Sequence, residues 1–202
     1  MKTRLILLII ACCFFSLSSN AKPTKQQSYI NYINKYAPIA VVKMQEHGIP
    51  ASITLAQGLL ESGAGLSELA RKSNNHFGIK CHSDWTGDKV YHDDDKKQEC
   101  FRKYKSVELS YEDHSQFLKK DRYKKLFTLE TTDYKGWAKG LKECGYATAS
   151  DYAKKLIDII ETYELFYYDN GTMPTNADDS NIKNGNEVIS PIAKKEHTIM
   201  IL

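Results

Sequence analysis

The chain has 202 residues and a formal net charge of +3, with 42% hydrophobic and 26% charged residues. This composition is typical of a globular protein, and the length allows one domain with tails. We predict no nucleic-acid partner, because nucleic-acid binding calls for a denser stripe of basic residues.

The first 21 residues have the pattern of a secretory signal peptide. Met1–Arg4 is basic, Leu5–Phe15 is apolar apart from two cysteines, and Ser19-Asn20-Ala21 resembles a cleavage site. The apolar run is shorter than the roughly 20 residues of a membrane span. We therefore predict an exported protein, periplasmic or extracellular. An uncleaved anchor or a lipid on Cys12 are the alternatives, and only these would bring the protein to a membrane.

A polar linker over 22–27 leads into the predicted folded domain, 28–168. Ser28 can begin a helix that we expect Pro38 to break or restart, and Gly48 can end the helix that follows. A further short helix is predicted over Leu66–Lys72. Helical periodicity dominates this region, so we predict a mostly helical α+β domain.

The most apolar helix starts near Pro50 and carries one strongly acidic residue, Glu61, at its end. Pro50 suits the first helical position, and Gly63 can stop the helix. The negative end of the helix dipole and the apolar neighbours both disfavour an ionised carboxyl, so they raise the pKa of Glu61. A raised pKa is what a general acid needs. A solvated end-of-helix glutamate is the alternative interpretation.

Two short runs rich in aromatic and β-branched residues, Lys89–His92 and Glu99–Tyr104, predict a β-hairpin. Asp93, Asp94 and Asp95 lie in the turn between them. An acidic turn that is simply solvated is one interpretation of these residues. A calcium loop is disfavoured, because the aspartate spacing and the missing glycine do not match an EF-hand.

Three cysteines lie outside the signal peptide: Cys81, Cys100 and Cys144. An oxidising compartment permits one disulfide and one remaining thiol, and we favour Cys81 with Cys100 because they flank the hairpin segment. A metal site is the alternative, although the paired C-x-x-C motifs of structural zinc sites are absent. Its further ligands would be His76, His82 or His92.

Helical patterns return after the hairpin. The predicted segments are Val107–Leu118, Asp121–Phe127, Tyr134–Glu143 and Asp151–Phe166. Ser106, Asp133 and Ser150 are their expected N-caps, and Leu109 is expected to point inward. The last stretch, 169–202, is rich in turn residues with little apolar pattern, so most of it is predicted to be a flexible tail.

Four separated blocks resemble, in order, the bacterial glucosaminidase domain of glycoside hydrolase family 73. They are Ala56–Gly63, Asn74–Lys80, Phe101–Tyr104 and Gly145–Thr148, the last ahead of Tyr152-Ala153. The resemblance covers about 45–166, and four blocks in order are specific where any one is weak. It implies a lysozyme-like α+β fold with the β-hairpin beside the active-site groove.

The resemblance also implies an activity: hydrolysis of the β-1,4 bond after N-acetylglucosamine in peptidoglycan. The family's catalytic acid, in the motif Gln-x-x-x-Glu-Ser-Gly, corresponds to Glu61. The glycan strand is then the expected partner of a monomeric enzyme, and the route requires no metal or organic cofactor. A lytic transglycosylase or muramidase acting on the same glycan stays open, as does a non-catalytic cell-wall-binding module.

Further site residues follow from the resemblance alone. The family's second acidic residue lies on the hairpin, which makes the three hairpin aspartates candidates, although many relatives have glutamate in this region. Tyr146 resembles the tyrosine that lines the groove near the scissile bond. Asn75 and Phe77 match the loop that shapes the substrate site, and Phe77 is the more structural of the two.

Overall fold

The computed structural model describes residues 25–83, 85–94 and 96–171. Its α-helices are α1 (Gln27–His47), α2 (Ala51–Ser62), α3 (Glu68–Ser73), α4 (Val107–Leu118), α5 (Tyr134–Glu143) and α6 (Tyr152–Thr162). Two 3-10 helices, η1 (Asp121–Thr128) and η2 (Leu165–Asn170), and two strands, β1 (Lys89–His92) and β2 (Glu99–Arg102), complete it. The predicted signal peptide, the first half of the predicted linker and the chain after Gly171 lie outside the described residues. Within those residues no helix is both long and apolar enough to cross a bilayer.

The first helix is continuous, so the prediction that Pro38 breaks it was wrong. A proline inside a helix costs about 3 kcal/mol. Burial of one whole side of α1, against α2 and α4, opposes that cost. The buried residues of this side are Tyr32, Ile33, Tyr36, Ala37, Ala40, Val41 and Met44. Gly48 then ends the helix in the left-handed conformation, as predicted, and its N–H donates to the Met44 carbonyl.

Helix α2 lies at the centre of the fold. Every residue from Ala51 to Leu59 is buried, and the helix contacts α1, α5, α6 and η2. Pro50 precedes the helix as its N-cap, one residue earlier than predicted, and Gly63 ends it at a φ of 56°. The continuous burial ends at Leu59, so Glu61 lies where α2 reaches the surface.

A glycine is required at position 58 because a tyrosine hydroxyl occupies the space of a side chain. A Cβ on Gly58 would lie 2.4 Å from the Tyr32 hydroxyl oxygen. That hydroxyl forms hydrogen bonds of 2.9 Å with both Tyr111 Oη and His76 Nδ1. The buried cluster of these three side chains therefore depends on the bare backbone of α2.

The β-hairpin is antiparallel, as predicted, with Val90 opposite Phe101 and Tyr91 opposite Cys100. The predicted disulfide joins Cys81 to Cys100, so these two thiols cannot serve the alternative metal site. Asp113 of α4 holds the C-terminal end of β2, because both its carboxylate oxygens accept hydrogen bonds of 3.0 Å from Arg102. The hairpin is thus fastened to the preceding loop and to α4.

Helix α4 buries Leu118, as its helical pattern predicts, but it does not bury Leu109. Leu109 is 48% exposed, contrary to our expectation. The buried residues of the helix are Ser110, Tyr111, His114, Ser115 and Leu118. Polar side chains can line this buried face because they find partners inside, for example Ser110 Oγ, which accepts a hydrogen bond from the backbone N–H of His76.

The C-terminal boundary of the domain also differs from the prediction. Helix α6 ends at Thr162 rather than Phe166, because Glu164 adopts a left-handed conformation and η2 follows. Asp169, which we assigned to the tail, is buried and accepts hydrogen bonds from Ser52 N (2.8 Å) and Ser52 Oγ (2.6 Å). These bonds satisfy donors at the start of α2, so Asp169 belongs to the folded domain.

The substitution Gly58→Ala should lower the free energy of unfolding by about 1–3 kcal/mol, because the new methyl group overlaps the Tyr32 hydroxyl. Urea denaturation of Gly58→Ala, Tyr32→Phe and the double variant measures the coupling between the two positions. We expect the loss caused by alanine to shrink in the Tyr32→Phe background. Equal losses in both backgrounds would show that the hydroxyl is not the obstacle.

Candidate active site

Glu61 lies near the C-terminal end of α2, where the helix reaches the surface. Its side chain is open to solvent, but many protein atoms surround it, and this loss of solvation is the largest influence on its carboxyl and raises the pKa. The negative charge of Asp94 raises the pKa further, whereas a hydrogen bond from Tyr152 lowers it. The net shift is upward, which confirms the direction expected from the sequence.

Tyr152, the first residue of α6, holds one oxygen of Glu61. Its hydroxyl donates a 3.0 Å hydrogen bond to Glu61 Oε1 and accepts another of 3.0 Å from Gln57 Nε2. The tyrosine is buried, so its hydroxyl has few alternatives to these two partners. A proton on the other carboxyl oxygen, Oε2, does not compete with the bond from Tyr152. The arrangement therefore suits a carboxyl that delivers a proton from Oε2.

A buried polar chain continues behind Tyr152. Gln57 lies one helical turn before Glu61 on the same face of α2. Its Oε1 accepts a 3.1 Å hydrogen bond from Nε2 of His114, a fully buried residue of α4. Burial lowers the pKa of His114 to about 3, so the imidazole is neutral at physiological pH. The chain links α4, α2 and α6 to the carboxyl of Glu61.

Tyr146 lies in the loop between α5 and α6 and packs beside the same site. Its ring stacks on Tyr152, with centroids 5.7 Å apart and an interplanar angle of 22°. Burial raises the pKa of Tyr146 well above its usual value, and the charge of Glu61 adds to the effect. The structure therefore brings Tyr146 and Glu61 together, as the resemblance implied.

Two cations hold the loop that carries Tyr146. Arg122 Nη2 donates a 2.6 Å hydrogen bond to the Gly145 carbonyl. Lys142 Nζ donates to the carbonyls of Ala147 and Thr148, at 3.2 and 2.7 Å. Charge-assisted bonds on both sides of Tyr146 fix the backbone from which its ring extends.

The two hairpin aspartates that the structure describes, Asp93 and Asp94, have different surroundings. Asp93 Oδ1 accepts hydrogen bonds from the backbone and side chain of Gln98, which stabilise the turn. The charge of Asp94 acts on Glu61, and its Oδ2 lies 3.4 Å from Lys80 Nζ. Asp95 lies outside the described residues. Of the two described aspartates, Asp94 is the one coupled to Glu61.

Asn75 and Phe77, which the resemblance matches to the loop that shapes the substrate site, are both buried. The Asn75 amide donates to the carbonyls of Ile79 and Arg102, and its oxygen accepts from the N–H of Ile79. Phe77 stacks on His114, with ring centroids 3.9 Å apart. Both side chains are committed to the interior, so they shape the loop from within.

Sequence reasoning missed the buried chain behind Glu61. The sequence did not mark Tyr152 as a partner of Glu61, and it did not single out His114 within its helix. Gln57 carried the signal that could have found the chain. An amide inside an otherwise apolar, buried helix must find hydrogen-bonding partners, and those partners lie next to the carboxyl one turn later.

One group within the described part of the chain offers three ligand atoms to a metal ion: Glu46, His47 and Glu112. Lys43 Nζ lies 2.6 Å from a carboxylate oxygen of each glutamate. The cluster lies between α1 and α4 and does not include Glu61. Its ammonium partner makes it an ion-pair network on the surface rather than a metal centre.

Comparison with known proteins places this site in a family. Residues 37–165 match the family described as mannosyl-glycoprotein endo-beta-N-acetylglucosaminidase. The chain belongs to the glucosaminidase family. Glu61, Tyr146 and Tyr152 all lie within the matched span.

Individual relatives agree with this assignment. The glucosaminidase chain is 38% identical over 159 residues to exo-glucosaminidase LytG of Bacillus subtilis, covering 72% of this chain and 54% of that protein. It is 30% identical over 153 residues to peptidoglycan hydrolase FlgJ of Vibrio parahaemolyticus, covering 70% and 50%. The chain thus spans about half the length of these two relatives.

A solved structure matches the fold. The catalytic domain of the autolysin Auto from Listeria monocytogenes superposes with a TM-score of 0.60 at 29% identity, covering 73% of this chain and 91% of that one. The predicted fold of this glucosaminidase domain, mostly helical, lysozyme-like and with one β-hairpin, is confirmed.

Tyr152→Phe should raise the pKa of Glu61, because it removes the one hydrogen bond that lowers it. Titration of isotope-labelled glutamate carboxyls by NMR measures the pKa directly, without a substrate. Tyr91→Phe, on the exposed face of the hairpin, is the matched control and should leave the titration unchanged. A pKa that stays the same or falls in Tyr152→Phe would contradict the described hydrogen bond.

Proposed function

We propose that this protein is an exported peptidoglycan hydrolase that cleaves the β-1,4 bond after N-acetylglucosamine, with Glu61 as the general acid. The observation that carries the proposal is the Glu61 carboxyl itself. It lies at the surface, has a raised pKa and is held through one oxygen by a buried tyrosine. Membership of the glucosaminidase family and the names of the matched relatives supply the substrate class.

The proposed reaction starts with proton transfer from Glu61 Oε2 to the glycosidic oxygen. The bond from the anomeric carbon to that oxygen breaks, and positive charge develops on the N-acetylglucosamine ring. Water adds to the anomeric carbon and loses a proton to a carboxylate. The products are two shorter glycans, one ending in N-acetylglucosamine, and Glu61 regains its proton for the next cycle.

We assign the second carboxylate to Asp94. Its charge already acts on Glu61, whereas Asp93 is engaged by the hairpin turn. An aspartate at this place can stabilise the developing positive charge or accept the proton of the attacking water. The acetamido group of the substrate is the competing candidate for the same task. Tyr146, stacked beside Tyr152, is assigned to the wall that the sugar contacts.

Two features of the chain support the proposed export. Residues 1–21 are proposed to be a cleaved signal peptide, on the sequence pattern described above. The Cys81–Cys100 disulfide is the second feature, because such bonds persist in oxidising compartments. A protein delivered there meets the cell wall.

The reaction products distinguish the possible activities. Purified peptidoglycan is digested with the mature chain, reduced with borohydride and analysed by mass spectrometry. We expect reduced N-acetylglucosamine ends from the wild type. Reduced muramic acid ends would identify a muramidase, and anhydro-sugar ends, lighter by one water, would identify a lytic transglycosylase.

Glu61→Gln should lower the rate of that digestion by about 100- to 10,000-fold, since an amide has no proton to donate at this step. Glu68→Gln, an exposed glutamate on the next helix, is the matched control and should keep the wild-type rate. Thermal melting shows whether each variant is folded. A folded Glu61→Gln protein with wild-type activity would overturn the assignment of the acid.

Asp94→Asn and Asp93→Asn test the second carboxylate. We expect Asp94→Asn to lower kcat at least tenfold by removing a catalytic charge, and Asp93→Asn to have a smaller effect through the turn. Loss of the Asp94 charge should also lower the pKa of Glu61, so the alkaline limb of activity moves to lower pH. A kcat within twofold of wild type in Asp94→Asn would instead favour catalysis assisted by the substrate's acetamido group.

A further inference from the structure

We propose that His114 and Gln57 are positioning residues that fix the hydroxyl of Tyr152 so that it donates to Glu61. Neither residue contacts the space in front of the carboxyl, and both act through the tyrosine. This inference rests on the proposed function of Glu61 as the acid. It assigns a role to the polar residues that are fully buried behind the site.

The hydrogen bonds of the chain run in one direction only. Tyr152 donates its single hydroxyl hydrogen to Glu61 Oε1, so its oxygen must accept from Gln57 Nε2. That bond turns the amide oxygen of Gln57 toward His114, where it can only accept. His114 must therefore carry its proton on Nε2. The tautomer of buried His114 thus determines that the hydroxyl of Tyr152, itself buried, donates to Glu61 at the surface.

The imidazole of His114 is held as a fixed donor. Its ring is fully buried and stacks on Phe77 at 3.9 Å with an interplanar angle of 16°. Because burial lowers its pKa to about 3, the ring stays neutral and keeps one proton over the working pH range. Phe77 is itself held by the loop that Asn75 organises. The loop predicted to bind substrate therefore supports the site from behind.

The position of this chain of hydrogen bonds explains why it affects Glu61 selectively. The groups whose charge or hydrogen bond acts on Glu61 or responds to it are Tyr152 of α6, Asp94 of the hairpin and Tyr146 of the loop before α6. Of these, Tyr152 alone donates a hydrogen bond to the carboxyl. If its hydroxyl turned to Gln57, Oε1 would lose its partner and the proton would no longer be confined to Oε2.

The sharpest test is Gln57→Glu, which keeps the size of the side chain but replaces the donor by an acceptor. The new carboxylate draws the hydroxyl of Tyr152 away from Glu61. We expect kcat to fall by about 3- to 10-fold, the factor given by one hydrogen bond, with KM within twofold. The alkaline limb of activity should move to higher pH, because Glu61 loses the bond that lowers its pKa. Gln45→Glu adds the same charge at an exposed position and should change neither.

A histidine pair tests the other end of the chain. His114→Met removes the donor, whereas His114→Gln can return an N–H to the same place. We expect His114→Met to raise the pKa of Glu61, measured by NMR, and His114→Gln to restore it. If the pKa of Glu61 is unchanged in both Gln57→Glu and folded His114→Met, or if His114→Gln fails to restore it, the positioning role is refuted. The NMR titration needs no substrate, so it stays informative even if the wild type fails to cut peptidoglycan.

Discussion

The burial of α2 from Ala51 to Leu59 is the constraint on which the rest of the structure depends. A helix segment with no exposed face cannot leave polar groups to water, and apart from Thr54, whose hydroxyl has no partner among the described residues, its polar side chains bond inside. Ser52 does so with Asp169, and Gln57 with Tyr152 and His114. These partners come from distant parts of the chain. The hydrogen bonds that the polar side chains of α2 require thus bring distant segments together around the helix. At its C-terminal end, the same bonds assemble the site.

The same constraint explains the glycine in the middle of α2. A glycine inside a helix costs about 1 kcal/mol relative to alanine. Here it lets the hydroxyl of Tyr32 approach the helix backbone and join Tyr111 and His76. The motif around Glu61 therefore combines a carboxyl at the surface with two positions, 57 and 58, that are set by packing beneath it.

Much of the fold could be predicted from local patterns, and the errors share a cause. Helix ends marked by Gly48 and Gly63, the hairpin and the disulfide were all predicted from short segments. The errors at Pro38 and Leu109 arose because tertiary packing outweighed the local signal. Asn75 was assigned to substrate on resemblance, yet its hydrogen bonds to residues up to 27 positions away commit it to the interior.

Within the candidate site, too, local motifs could be recognised from sequence and long-range contacts could not. Glu61 and Tyr146 could be named as candidates because their motifs are local. Asp94 could not be separated from Asp93 by sequence, since only the folded hairpin shows which of these two aspartates acts on Glu61. The buried chain of His114 and Gln57 joins α4 to α2 across 57 positions of sequence. No periodicity or spacing encodes such a contact.

The environment of Glu61 balances two opposing demands on one carboxyl. Loss of solvation and the charge of Asp94 hold the proton, while the bond from Tyr152 favours its release. If the only requirement were a high pKa, the tyrosine would be a disadvantage. The hydrogen bond from Tyr152 instead orients the Glu61 carboxyl, because a donor fixed on Oε1 leaves Oε2 to present the proton. The buried chain of hydrogen bonds therefore lowers the pKa of Glu61 somewhat, and it also fixes Oε2 as the oxygen that presents the proton.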